Sequence, residues 1–315
     1  MTGTVYRSTG SWYKVKTETG DFIDCRIKGK FRLQGIKSTN PVAVGDVVEY
    51  TEDDSSDEVT GVIHEIHDRK NYIVRKSVNL SKQTHIIAAN VDLVFLVITL
   101  NNPPTFTSFI DRFLATANAY SVPVTLLFNK IDSYSIEEKA EIKWLATLYR
   151  EIGYTCIGIS ATEQHNLEPV REEMAGKTVM FAGHSGAGKS TLANAIAPNL
   201  TIKTSEISTQ HRQGQHTTTF ATMYDLPDDA RLIDTPGIKG FGLVDMDPDE
   251  IGDYFPEILQ RKEHCKFNNC LHIEEPKCAI KDAVEAEEIA LSRYESYVTM
   301  VQGDEDGYRS DIYGS

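Results

Sequence analysis

The chain has no apolar run long enough to cross a bilayer. Its longest, Val91 to Leu100 ("VDLVFLVITL"), is too short and contains Asp92, so it reads as a buried strand. No basic-then-apolar leader opens the sequence, and a cytoplasmic protein that does not enter the membrane is expected. Positive charge is in deficit as well. Thirty-two Lys and Arg face 46 Asp and Glu, for a net charge of −14, which excludes indiscriminate binding of nucleic acid through bulk charge. Cysteine is scarce and odd in number, five in 315 residues. That excludes a fully paired disulfide framework and leaves metal ligation or free thiols. Internal repeats are lacking too. The length suits two or three domains.

What charge there is lies unevenly. Residues 1–50 carry eight basic and five acidic side chains, whereas residues 246–315 carry seven and 17. Residues 1 to about 70 alternate apolar and polar positions between Gly-containing turns ("GTVYRSTGSWYKVKT", "DFIDCRIKGKFR", "VGDVVEYTE"). About five short strands in a domain of residues 1–72 suggest a small OB-like β-barrel. Arg26, Lys28, Lys30 and Arg32 recur at every second position, so in a strand they share one face. Two readings stand for that face: an RNA-binding stripe, or a solvated exterior.

Between about 85 and 245, apolar runs ending in polar motifs alternate with helical patterns such as "SIEEKAEIKWLATLYREIG". This is the pattern of a parallel sheet covered by helices on both faces, here a central domain of residues 73–245. Ligands bind such sheets at the carboxyl ends of strands. "GHSGAGKST" at 183–191 matches the phosphate-binding loop, after one apolar run and before a helical one. Gly183, Gly186 and Gly188 permit the torsions that turn N–H groups toward a β-phosphate. Lys189 supplies charge to the β- and γ-phosphates, and Ser190 a hydroxyl for Mg²⁺. The rest of the loop, His184, Ser185, Ala187 and Thr191, is expected to touch nucleotide. "LIDTPG" at 232–237 ends another strand. Asp234 there suits Mg²⁺, and the Gly237 N–H suits the γ-phosphate.

"FNKID" at 128–132 closes a strand that precedes the phosphate loop in the chain. The Asp132 carboxylate can accept from guanine N1–H and the 2-amino group, a pairing adenine cannot offer. Asn129 would brace the loop, and the Lys130 stem would cover the base. Ser160 and Ala161 end the next strand, where the Ala161 N–H could meet guanine O6. Base readers therefore precede phosphate loop and sensor, a circularly permuted order. A phosphate-loop kinase or ATPase with a fortuitous NKID is the competing class.

This order resembles the circularly permuted, small-ribosomal-subunit-dependent GTPases of the RsgA (YjeQ/YloQ) family. The resemblance rests on "NKID", "GHSGAGKST", "HTTT" at 216–219, "DTPG" and the Cys/His segment at 265–278, in that order, and covers nearly the whole chain. His184 and Thr191 depart from the usual pattern without removing a phosphate contact. The resemblance implies a GTPase stimulated by the small ribosomal subunit, contact with rRNA, and a role in late subunit maturation. A guanine-nucleotide-controlled rRNA-binding checkpoint, with hydrolysis only resetting it, is the alternative. Nothing calls for an oligomer, and a monomer is expected.

Three features remain. Cys265, Cys270, His272 and Cys278 offer three thiolates and an imidazole, the set a structural Zn²⁺ prefers, in a helical domain of residues 246–315 with an acidic, disordered-looking end. Cys25 and Cys156 sit in apolar patterns and read as core thiols. "STQHRQGQHTTTF" at 208–220 reads as a mobile switch in which Thr217, Thr218 or Thr219 completes the Mg²⁺ shell, Thr218 and Thr219 being favoured. Ile238 stands where many GTPases carry a water-orienting Gln, so intrinsic hydrolysis is expected to be slow. His216 or a ribosomal group acting in trans would supply the missing function. "DTPGIKGFG" leads straight into the C-terminal domain, which suggests a covalent route from γ-phosphate to that domain.

Overall fold

The computed structural model describes residues 1–27, 41–53, 59–76, 84–198, 221–234 and 246–303. Five strands, β1 (Thr2–Ser8), β2 (Tyr13–Thr17), β3 (Phe22–Ile27), β4 (Val47–Asp53) and β5 (Thr60–Ile66), form the N-terminal barrel. β1 pairs antiparallel with both β2 and β4, and the parallel pair β3–β5 completes the closure. The alternation read from the sequence is the inside–outside alternation of the barrel. Val5, Tyr13, Val15, Cys25, Val48, Tyr50 and Ile63 fill it. Burial pushes the Cys25 thiol up to about 12, so it is an inert core group, as expected.

The sequence reading ends the barrel domain at residue 72 and names no element between there and about 85. The structure instead sets β6 (Tyr72–Lys76) and β7 (Thr84–Ala89) apart as an antiparallel hairpin. Arg69 anchors the connection by forking onto buried Asp46 with two bonds of 2.6 Å.

The central domain is a six-stranded sheet. Its strands are β8 (Leu93–Ile98), β9 (Val124–Phe128), β10 (Thr155–Gly158), β11 (Thr178–Ala182), β12 (Thr222–Asp225) and β13 (Arg231–Asp234), in spatial order β10-β9-β8-β11-β13-β12. All pairs are parallel except β12–β13. Every residue of β8 is buried, because helices cover both faces. Val94, Leu96 and Ile98 pack under α1 (Thr107–Ala119) and α2 (Ile136–Ile152), while Leu93, Phe95 and Val97 face α3 (Glu168–Met174) and α4 (Lys189–Ile196). Asp92 belongs at the head of this run. Its carboxylate accepts from the Thr178 N–H at 2.8 Å, fastening the starts of β8 and β11. α2 begins with a reciprocal Ser135–Glu138 capping box and stops at Gly153 in the left-handed conformation.

β12 also pairs antiparallel with β1, so barrel and central sheet are continuous. Asp225 pins the seam by accepting from Tyr6 Oη at 2.6 Å and from Lys16 Nζ at 2.7 Å. The C-terminal domain holds α5 (Pro256–Leu259), α6 (Ala279–Glu285) and α7 (Leu291–Gln302) around its own core, into which Ala115 of α1 inserts.

Candidate nucleotide site and metal centre

The phosphate loop follows β11 at the carboxyl edge of the sheet, and α4 begins at Lys189. Its glycines are dictated by space as well as torsion. Gly183 (φ 128°) would place a Cβ 2.4 Å from the Val97 carbonyl oxygen, and Gly188 (φ 101°) one 2.3 Å from Asn129 Nδ2. Lys189 Nζ donates to the carbonyls of Gly183 and His184, both at 2.7 Å. Burial lowers the Lys189 ammonium to about 8, against the pull of Asp234, and burial raises the Asp234 carboxyl. Lys189 is thus partly dehydrated and held inside its own loop by two main-chain carbonyls. Ser185, Gly186 and Thr191 are exposed, Ser190 half-buried and Ala187 buried.

The FNKID loop, expected to read the base, follows β9 next door. Asn129 is 2 % exposed. Its Nδ2 donates to the Ala187 carbonyl at 2.9 Å, and its Oδ1 accepts the Ala161 N–H at 3.0 Å. One buried amide thus ties the phosphate loop to both the FNKID loop and the Ser160–Ala161 segment. The Ala161 N–H, expected to face guanine O6, is engaged by Asn129 in this structure. Lys130 adopts φ 67° and donates from Nζ to the Asn102 carbonyl at 2.5 Å. Asp132 is exposed, and with Ser160 it walls a groove of about 670 Å³ between α2 and β10.

Gly237, His216, Thr217, Thr218, Thr219 and Ile238 lie outside the described residues. So do Lys28, Lys30 and Arg32, and the acidic end from 304. Arg26 is described, exposed at the end of β3 and paired with Asp53 at 2.6 Å.

The four expected metal ligands converge. Cys265 Sγ lies 3.5 Å from His272 Nδ1 and 3.9 Å from Cys278 Sγ, and Cys278 Sγ lies 3.4 Å from His272 Nδ1. Cys270 completes a set whose ligand atoms all fall within 4.8 Å of one another. Tetrahedral Zn²⁺ with ordinary bond lengths requires edges of about 3.7 Å between sulfurs and about 3.5 Å from sulfur to nitrogen. The cluster fits that ion. The segment is braced from outside by Tyr294 Oη donating to the His272 carbonyl at 2.6 Å and Tyr297 Oη to that of Leu271, and from within by Glu275 accepting from the N–H groups of Leu271 and Ile273.

Two family models match the chain, the RsgA N-terminal domain over residues 2–63 and the RsgA GTPase over residues 66–244. The chain belongs to the RsgA GTPase family. A Christiangramia forsetii protein named small ribosomal subunit biogenesis GTPase RsgA is 68 % identical, with 99 % of each chain covered. A Bacteroides fragilis protein of the same name is 54 % identical over 98 % of this chain and 99 % of its own. Among solved structures, YjeQ from Thermotoga maritima superposes with a TM-score of 0.77 at 35 % identity, covering 96 % of this chain and 97 % of its own. YloQ, described as a circularly permuted GTPase, gives 0.74 at 30 %, covering 97 % and 95 %. The permuted order read from the motifs is thus the order of the RsgA fold.

Sequence reasoning missed the residues that join this site to the rest of the RsgA architecture. Arg293 of α7 is 1 % exposed and forks onto Glu257 of α5, with bonds of 2.7 and 3.2 Å. It also donates to Asp111 of α1 at 2.8 Å. Asp111 further accepts from Tyr149 Oη and Ser296 Oγ, each at 2.7 Å. No motif marks these residues. An Asp in the apolar stretch "FIDRFLATA" was the available hint.

Proposed function

We propose that this chain hydrolyses GTP to GDP and phosphate at the meeting point of the phosphate loop and the FNKID loop. Small ribosomal subunits stimulate turnover, and the chain serves their late maturation. The observation that carries the reading is the Asn129 bridge, which fastens a phosphate cradle directly to a guanine-reading loop. The names of the relatives supply the ribosomal partner.

Asp132 accepts from the guanine edge. Lys189 and the N–H groups of residues 183–191 hold the phosphates, with Gly237 at the γ-position. Ser190, Asp234 and Thr218 or Thr219 would hold Mg²⁺, which would supply positive charge to the phosphates. With Ile238 in the place of the usual Gln, the attacking water is oriented by His216 or by a ribosomal group. Cys265, Cys270, His272 and Cys278 hold one structural Zn²⁺ and take no part in the chemistry. The barrel contacts rRNA through the stripe Arg26, Lys28, Lys30 and Arg32. The protein acts in the cytoplasm as a monomer.

The test is GTP turnover with and without purified small subunits, with ATP as control. Strong stimulation for GTP alone is expected. A slow rate unaffected by subunits would overturn the ribosomal reading, and comparable ATP turnover would overturn the base assignment. His216→Ala should abolish stimulated turnover at unchanged GTP affinity. Unchanged stimulation would assign the role to the ribosome.

A further inference from the structure

His184 is an odd residue for a phosphate loop, where a small or hydrogen-bonding side chain would fit more simply. Among the described residues, two buried side-chain polar atoms lack a partner, and His184 Nε2 is one of them. A buried nitrogen without a partner calls for an explanation, and the shape of the ring offers one. That shape is used: the ring lies against Phe109 of α1, with centroids 4.1 Å apart and planes tilted by 36°. Phe109 is itself buried.

The contact sits at a junction. On one side, the main-chain carbonyl of His184 accepts from Lys189 Nζ, so a shift of residue 184 displaces the lysine that meets the phosphates. On the other side, Phe109 and Asp111 are two residues apart on α1 and face roughly opposite directions. Phe109 looks to the phosphate loop, and Asp111 looks to Arg293 and Ser296 of the C-terminal domain. Further along α1, Asn118 donates to the Tyr254 carbonyl at 2.9 Å. The segment before α1 also abuts the loop, since a Cβ on Gly186 would lie 3.3 Å from Pro103.

We propose that His184 is a positioning residue of the GTPase, whose ring carries the position of the phosphate loop through Phe109 and α1 to the C-terminal domain. This rests on residues 183–191 being the nucleotide's phosphate loop. It adds a route distinct from the covalent one through residues 235–245, because it needs no chain continuity and runs through packed side chains. A ring in contact with another ring transmits a displacement that a flexible side chain would absorb.

The experiment uses the full-length chain, unsubstituted and as His184→Ala and His184→Phe. Hydrogen exchange of the α7 peptide, residues 291–302, is compared with GDP bound and with a non-hydrolysable GTP analogue bound, both at saturation. In the unsubstituted chain the two states should differ at least about threefold in exchange rate. With the analogue again at saturation, His184→Ala should erase that difference. His184→Phe, which keeps a ring and removes the unpaired nitrogen, should restore it. If His184→Ala does not fold, Phe109→Leu breaks the same contact and should erase the difference. Failure of the unsubstituted chain to bind the analogue would overturn the phosphate-loop assignment and this proposal with it. Binding with no difference at α7, or a difference that survives His184→Ala or Phe109→Leu, would overturn the proposal alone. So would loss of the difference in a folded His184→Phe chain.

Discussion

Replacing Arg293 by Met should be among the most damaging single changes available in the C-terminal half. Arg293 is 1 % exposed and Asp111 is fully buried. The guanidinium makes three charge-assisted bonds, two to Glu257 and one to Asp111, and packs over the Phe255 ring at 4.6 Å. Met fills much of the volume, so the loss is electrostatic. Two carboxylates would remain buried without their cation, which costs about 3–5 kcal/mol. Tyr149 and Ser296 still donate to Asp111 and favour the lower end. Against a total stability of about 5–15 kcal/mol, this is a large fraction. Because Asp111 belongs to α1 and Glu257 and Arg293 to the C-terminal domain, the damage should appear first as undocking. Urea unfolding followed by far-UV circular dichroism measures the total, and hydrogen exchange of residues 291–302 locates it. The triple substitution Asp111→Asn, Glu257→Gln, Arg293→Met leaves no buried charge and should recover most of the loss. A single-variant cost below about 1 kcal/mol, or a triple variant weaker than the single, would refute the reasoning.

Asn129→Ala strands the Ala161 N–H and the Ala187 carbonyl, at about 1–3 kcal/mol each. Affinity for a fluorescent GDP analogue should fall at least tenfold, and unchanged affinity would remove the bridge from the site. Asp132→Asn should weaken guanine-nucleotide binding at least about a hundredfold, measured by the same titration. Lys189 has a pKa lowered by burial to about 8 in the ligand-free site, and phosphate charge must raise it. Binding therefore takes up a proton above pH 8, and GDP affinity should be flat below pH 8 and fall up to about tenfold per unit above it. A profile flat through pH 9 would contradict the buried-lysine geometry. Metal analysis of the purified chain should find one zinc, lost in Cys278→Ser together with protection of residues 265–278. A zinc-free chain with full protection there would exclude a structural ion.

Much of the site could be read locally. A phosphate loop declares itself within nine residues, because its glycines, lysine and hydroxyl act through adjacent torsions and one helix terminus. The Cys/His cluster lies within 14 residues for the same reason. Strand type followed from burial: β8 reads as a continuous apolar run because it is covered on both faces, and the barrel strands alternate because one face is wet. The order of motifs, and with it the permutation, is a property of the chain alone.

The contacts that make these parts one machine carry no local signal. Asn129 and Ala187 are 58 residues apart, Asp111 and Arg293 182, and Tyr6 and Asp225 219. Partner choice at such separations depends on how elements dock, and one arginine among many has no periodicity to mark it as buried. The β6–β7 hairpin escaped notice because its strands do not alternate: neighbours Ile73 and Val74, and Ala88 and Ala89, are all buried. Residue types and their order were settled by the sequence itself. That the phosphate loop and the C-terminal domain meet on α1, and that Asn129 joins the FNKID loop to the phosphate loop, was settled only by packing, where burial makes each unpaired polar group too costly to misplace.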